Sequence, residues 1–291
     1  MRINQVHCPP RAACYAAFLA LAFAAAPGMA QSTLEDAIWR GTQVQSKIVG
    51  KLCTSANPDC IRSEKDELRA LLKDYTLWKL NQSGGNIDEL LADLRKIDDA
   101  FLYQEKIWEE PTVWSGGPPF VFRQEVAGTE LIIAVNYFAS GALAFPSGVV
   151  IIQGFRNQGG QYIFGGEEGQ AMCGVLDLRN TQILRSPRPL EVWLLVFGQV
   201  GGGFMGDLDR ARIYSFDGYS FKEVWAPEDR QNMVITVSGD AIHNTFLGPK
   251  QPRFGGDLQE GMEERLQLTA AGVIRTSLVN HGENWEPPAK K

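Results

Sequence analysis

Two hydrophobic rhythms divide this chain. Between residue 32 and about residue 108 apolar side chains recur at helical spacing, and from about Pro118 onward they recur at every second position. The first rhythm predicts three helices. Leu34, Ala37, Ile38, Val44, Ile48 and Leu52 share one face of the first, and Ser32-Thr33-Leu34-Glu35 reads as its capping box. The second begins at Ser63 and carries Leu68, Leu71, Leu72, Tyr75 and Trp78 until Asn81–Gly85 stops it. The third runs through Ile87, Leu90, Leu91, Leu94, Ile97 and Phe101, and Pro111 is expected to end the helical region. Trp39 and Leu77 fall on the backs of these stripes. The helices are therefore expected to bury a second face, against the β part or against another copy of the chain. Asp98 lies inside an apolar stripe and is expected to be a paired junction residue.

The second rhythm predicts hairpins. Phe120–Val126 and Thr129–Tyr137 flank Ala127-Gly128, Arg212–Phe216 and Tyr219–Trp225 flank Asp217-Gly218, Met233–Ser238 and Ala241–Phe246 flank Gly239-Asp240, and Arg265–Thr269 and Val273–Ser277 flank Ala270–Gly272. Val149–Phe155 and Leu190–Phe197 are further strands, with shorter ones near Ile163, Val175 and Ile183. About eleven to thirteen strands fit a sandwich or a small propeller-like meander equally well. The expected class is α+β, with a helical segment over 31–111, an antiparallel all-β domain over 112–281 and a flexible tail over 282–291.

The first thirty residues change the setting. Arg2 and Arg11 precede or open an apolar run from Ala12 to Ala26, no acid is present, and Gly28 and Ala30 are the small residues a signal peptidase reads. The run is short of the roughly twenty residues that span a bilayer. This predicts a signal peptide over 1–30, a secreted or periplasmic product and no membrane anchor after cleavage. Losing Arg2 and Arg11 lowers the Lys and Arg count from 28 to 26 against 34 acids. Such a surface repels phosphate backbones, so nucleic acid is not an expected partner. In an oxidising compartment Cys53 and Cys60 are positioned to form a disulfide across a loop between two helices, worth about 2.5 kcal/mol by loop entropy. Cys173 reads as a small buried hydrophobe.

Candidate chemistry is sparse. Gly201-Gly-Gly-Phe-Met-Gly206 satisfies G-x-G-x-x-G but leads into a strand, whereas a dinucleotide site needs a helix there. Asp207 and Asp209 could open a calcium loop, yet no glutamate closes it, and both read as solvated loop acids pairing with Arg210 or Arg212. His243 and His281 are the histidines beyond the leader, too few with Cys173 for a zinc site. His243 reads as a surface residue. No catalytic residue, metal or cofactor is expected. Carboxylates and aromatics remain, and Trp114, Glu167, Glu168, Gly203, Asp207 and Asp209 are nominated as ligand-contacting residues on loops. Trp193 and Trp225 read as core.

The expectation is an exported, non-enzymatic binding or interaction module for a protein, glycan or small molecule. The alternatives are a carboxylate-based hydrolase acting on glycans, which needs two converging acids, and an assembly component of the cell envelope that oligomerises through its helices. Exported protein should begin at Gln31 by N-terminal sequencing. Its Cys53 and Cys60 should appear as one disulfide-linked peptide pair in non-reducing mass spectrometry, and Met1 retained on the exported chain would contradict the reading.

Overall fold

The computed structural model describes residues 33–49, 62–101, 104–107, 110–113, 118–138, 149–168, 175–200, 208–248, 251–253, 256–283 and 285. Cys53, Cys60, Cys173, Trp114, Gly203 and Asp207 lie outside them. The class is α+β: three helices in the N-terminal part precede three antiparallel sheets of four strands.

Helices α1 (Leu34–Val49), α2 (Arg62–Gln82) and α3 (Ile87–Phe101) form where the apolar stripes predicted them. The observed cap of α1 is Thr33, whose hydroxyl accepts the Asp36 amide at 3.1 Å. Asn86 caps α3 by accepting the amides of Asp88 and Glu89 and donating to the Glu89 carboxylate. Helix α3 stops at Phe101 instead of reaching Pro111. A short hairpin follows, β1 (Gln104–Ile107) with β2 (Glu110–Val113), and Pro111 sits in β2 opposite Lys106. A residue before proline is pushed toward extended backbone, which suits Glu110 to a strand.

Leu68, Leu71, Leu72, Tyr75, Leu90, Leu94 and Ile97 are fully buried, and Leu77 packs partly against the same cluster. Trp39 remains 62% exposed, so the second face of α1 is not covered at that point. The Tyr75 hydroxyl donates to Asp93 at 2.8 Å, and Lys79 lies 3.1 Å from Asp93 and 3.0 Å from Glu89. Burial works against the Asp93 charge, but the bonds from Tyr75, Lys79 and Lys96 outweigh it and hold that carboxyl below its usual range. No partner for the Asp98 side chain is present among the described residues. Burial, and then the neighbouring Asp99, push its carboxyl up to about 7.

The first sheet comprises β3 (Phe120–Val126), β4 (Thr129–Phe138), β5 (Val149–Gln158) and β6 (Gln161–Glu168). The second comprises β7 (Val175–Leu184), β8 (Val192–Val200), β9 (Leu208–Phe216) and β10 (Phe221–Trp225). The third comprises β11 (Gln231–Ser238), β12 (Ala241–Leu247), β15 (Glu260–Thr269) and β16 (Gly272–Glu283), with the small hairpin β13 (Gln251–Arg253) and β14 (Gly256–Leu258) between β12 and β15. Each sheet is a meander whose strands lie side by side in chain order.

The sheets stack face to face, and side-chain alternation shows which face meets which. In β4, Ile132, Ala134 and Phe138 join the helical core while Leu131, Ile133, Val135 and Tyr137 join the second sheet. In β8, Val192, Leu194, Val196 and Val200 point to the first sheet, and Trp193, Leu195 and Phe197 point to the third. The order is helices, first sheet, second sheet, third sheet. Glycines permit the closest approach. A Cβ on Gly154 or Gly165 would overlap the ring of Phe216, and one on Gly166 would lie 2.8 Å from the Tyr219 carbonyl oxygen.

Two of the four anticipated hairpins keep their turns, and in a third Thr269 pairs with Gly272, so the turn shortens to Ala270-Ala271. The fourth lengthens: Phe216 pairs with Phe221, so Asp217–Ser220 forms the turn, and Asp217 closes it by accepting the amides of Tyr219 and Ser220. A further hairpin turns at Gly159-Gly160, both at positive φ.

The raised carboxyl of Asp98 gives a signed prediction. The native state holds a proton there that the unfolded chain releases near pH 4, so stability falls as pH rises from about 4 to about 7. Asp98→Asn should be more stable than the native chain above pH 7 and equal to it below pH 4, measured by urea unfolding across that range.

Candidate functional site: the loop-rich end of the sheets

Up-and-down connectivity gives the stack two unlike ends. At one end β3–β4, β5–β6, β9–β10, β11–β12 and β15–β16 join through the short turns at 127–128, 159–160, 217–220, 239–240 and 270–271, with the longer link 185–191 beside them. At the other end lie the links 139–148, 169–174, 201–207, 226–230 and 248–259, and the start of β3 at Phe120. Cross-ties show that like ends of the second and third sheets face each other. Arg188 donates to the Ala270 carbonyl at the short-turn end, and Asp209 and Arg230 exchange backbone bonds at the other.

The nominated residues that are described sit at the loop-rich end but on different layers. Glu167, near the end of β6, faces the helices. It accepts from Arg69 of α2 and, at 3.1 Å, from the fully buried Gln153, which also donates to the Arg69 carbonyl. Arg69 holds Asp66 as well, at 3.0 Å. These contacts tie α2 to the first sheet. Glu168 ends β6 opposite Ile152, half-buried and engaged.

Asp209 is not a solvated loop acid. It lies within β9, 3% exposed, on the face toward the third sheet. Its carboxylate takes Arg179 at 2.5 Å and the Met233 amide at 2.7 Å, and Arg179 continues to Gln199. Its backbone pairs with Arg230, whose guanidinium stacks 4.0 Å from the Phe246 ring centroid. Asp209 therefore joins β7, β9 and β11 across the second and third sheets. The expected arginine partners are placed elsewhere. Arg210 makes a two-bond contact with Asp229, and Arg212 reaches the Pro227 carbonyl and Glu223. These contacts fix the 226–230 link onto β9. Glu167 and Asp209 are thus separated by the thickness of two sheets, and each faces an arginine.

Sequence reasoning missed a second cluster at this end. His243 Nε2 lies 2.9 Å from one oxygen of Glu263, and His281 Nε2 lies 3.1 Å from the other. Hydrogen bonds from His243 and then His281 hold the Glu263 carboxyl below its usual range. The ring of His281 lies parallel to that of Trp285 with centroids 4.8 Å apart. Trp285 rests on Gly261, where a Cβ would overlap its ring. The available signal was the scarcity of histidine: His243 and His281 are the two that follow the apolar leader, and both meet one acid. Among the described residues no group of three His, Cys, Asp or Glu is arranged to hold a metal ion.

No helix among the described residues is long and apolar enough to cross a membrane, which says nothing of strands. No protein-family model matches the chain, and no curated protein does. One solved structure it resembles is the GH93 α-L-arabinofuranosidase of Fusarium graminearum in complex with arabinobiose. The likeness has a TM-score of 0.28 and 9% identity, over 61% of this chain. The chain spans about half the length of that enzyme, 52%. At that score the likeness defines neither fold nor activity.

The two carboxylates differ in what they support. Asp209→Ala leaves Arg179 facing a buried gap and frees the Met233 amide, and should cost about 3 kcal/mol. Glu167→Gln keeps a polar group beside Arg69 and Gln153 and should cost about 1 kcal/mol or less. Urea unfolding of the two variants checks the order.

Proposed function

We propose that this chain is an exported, non-enzymatic binding module that meets its ligand at the loop-rich end of the sheet stack. The observation that carries the reading is the asymmetry of the connections. Rigid meanders present short turns on one side and nearly all their long links on the other, the arrangement in which a scaffold displays recognition loops. The nominated residues Glu167, Glu168 and Asp209 border that end, and the 201–207 link that carries Gly203 and Asp207 joins β8 to β9 there.

The glycan-hydrolase alternative requires two acids on either side of a scissile bond, within about 10 Å of each other. Glu167 and Asp209 do not support it, since two sheets lie between them and each is neutralised by an arginine.

Binding of the mature chain to arrayed envelope glycans and peptides tests the proposal. Replacing 201–207 by a two-residue turn should weaken the strongest signal at least tenfold, while replacing Gly159-Gly160 by Asn-Gly should leave it unchanged. Product release that disappears in Glu167→Gln or Asp209→Asn would favour the hydrolase. Binding indifferent to the loop replacement would remove the loop-rich end from consideration.

A further inference from the structure

We infer that β16 is a self-association edge, along which a second copy of this chain pairs antiparallel and continues the third sheet. The inference stands apart from the ligand at the loop-rich end, and it is tested without one.

The last strand of each sheet, β6, β10 or β16, is hydrogen-bonded on one side only. Such an edge offers a row of amides and carbonyls to another strand, and natural edges are shortened, charged or covered against it. β6 exposes Gln161 alone, and β10 is five residues long and exposes Lys222 and Glu223. β16 is built differently. It runs for twelve residues, and eight of them are exposed. Half of the exposed large apolar side chains among the described residues lie on it: Ile274, Leu278 and Val279, at 49%, 45% and 44%. Apolar groups gathered in this way mark a contact surface. At the opposite edge of the same sheet β11 exposes Asn232, Thr236 and Ser238, all polar.

Two residues of β16, Thr276 and His281, are extra in its pairing with β15. Bulges blunt an edge where they fall. These two bracket Ser277–Asn280, a regular stretch that holds Leu278 and Val279. Val279 lies opposite Glu263 and Leu278 opposite Glu264, so the two apolar side chains stand on opposite faces of the edge. A strand added alongside meets both.

Charge selects the second copy and its direction. Val279 lies midway between Arg275 and Glu283, both exposed. Two β16 strands paired antiparallel about Val279 set Arg275 of each copy opposite Glu283 of the other, with Val279 against Val279 on the axis. Parallel pairing in register would set Arg275 beside Arg275, and like charges side by side oppose it. Both groups also hold contacts within their own chain. Arg275 lies 4.0 Å from Glu264 with its side chain 54% exposed, and Glu283 is engaged as well. They steer the pairing, while backbone bonds and apolar contact hold it. A two-fold axis through Val279 makes the contact self-complementary, so it closes at two copies. It also turns the two loop-rich ends in opposite directions.

Sedimentation velocity of the full mature chain, from about 1 to about 100 μM, tests this. A monomer–dimer equilibrium is expected within that range, and Val279→Lys should raise its dissociation constant at least tenfold. Val279 is an exposed edge position, so the lysine variant should unfold in urea at the native midpoint. Under mild oxidation Val279→Cys should give a 279–279 disulfide-linked peptide in mass spectrometry, and Thr236→Cys on β11 should give no 236–236 peptide. A chain that stays monomeric throughout the range would overturn the inference. So would a dimer that keeps its affinity in Val279→Lys or lacks the 279–279 peptide.

Discussion

β4 and β8 have no solvent-facing side, and this requirement for cover on both faces organises the molecule. Val192–Phe197 is buried at every position, as is Leu131–Phe138. A strand of that kind exposes a second apolar face when it pairs into a single sheet, so another layer must close over it. The first sheet finds the helices on one side and the second sheet on the other, while the second finds the first and the third. Each fully buried Leu, Ile or Phe in these layers is worth about 1.5–3 kcal/mol, and the layers cannot part without exposing many of them at once.

Polar side chains then set where the layers meet. Arg69, Gln153 and Glu167 register α2 on the first sheet, and Arg179, Asp209 and the Met233 amide register the second sheet on the third. These joints cluster toward the end where the long links leave. Burial alone is indifferent to small slides between sheets, whereas a carboxylate between a guanidinium and a backbone amide accepts one placement. Phe216, seated in the notch made by Gly154 and Gly165, does the same by shape.

Much of the fold was legible in the order of residues because local period reports local burial. The helical stripes placed α1 to α3 to within a few residues, and Ala127-Gly128 and Gly239-Asp240 marked turns where positive φ is needed next to alternating strands. Pro111 looked like a helix stop, but α3 had already ended at Phe101. Asp217-Gly218 looked like a two-residue turn, but the aspartate side chain organises four residues through the Tyr219 and Ser220 amides. At Asp217 the short-range pattern competed with side-chain bonds that it does not contain. The site was less legible. Asp209 sits in Asp-Leu-Asp-Arg and reads as a loop acid, because Arg179 and Met233 come from strands well away in sequence.

The pattern of apolar positions by itself determined that helices precede an antiparallel β region, and Val192–Phe197 stands out in it as a continuous apolar run of the kind that a sheet buries on both faces. Period and run length are properties of neighbouring residues, and they carry that information directly. Only the tertiary structure decided that three meanders stack in series with helices over the first and solvent beyond the third, that Glu167 and Asp209 belong to different joints, and that His243 and His281 share Glu263. Those facts depend on the order of sheets and on a single bulge at His281, and side chains brought together from separate strands leave no mark in either period.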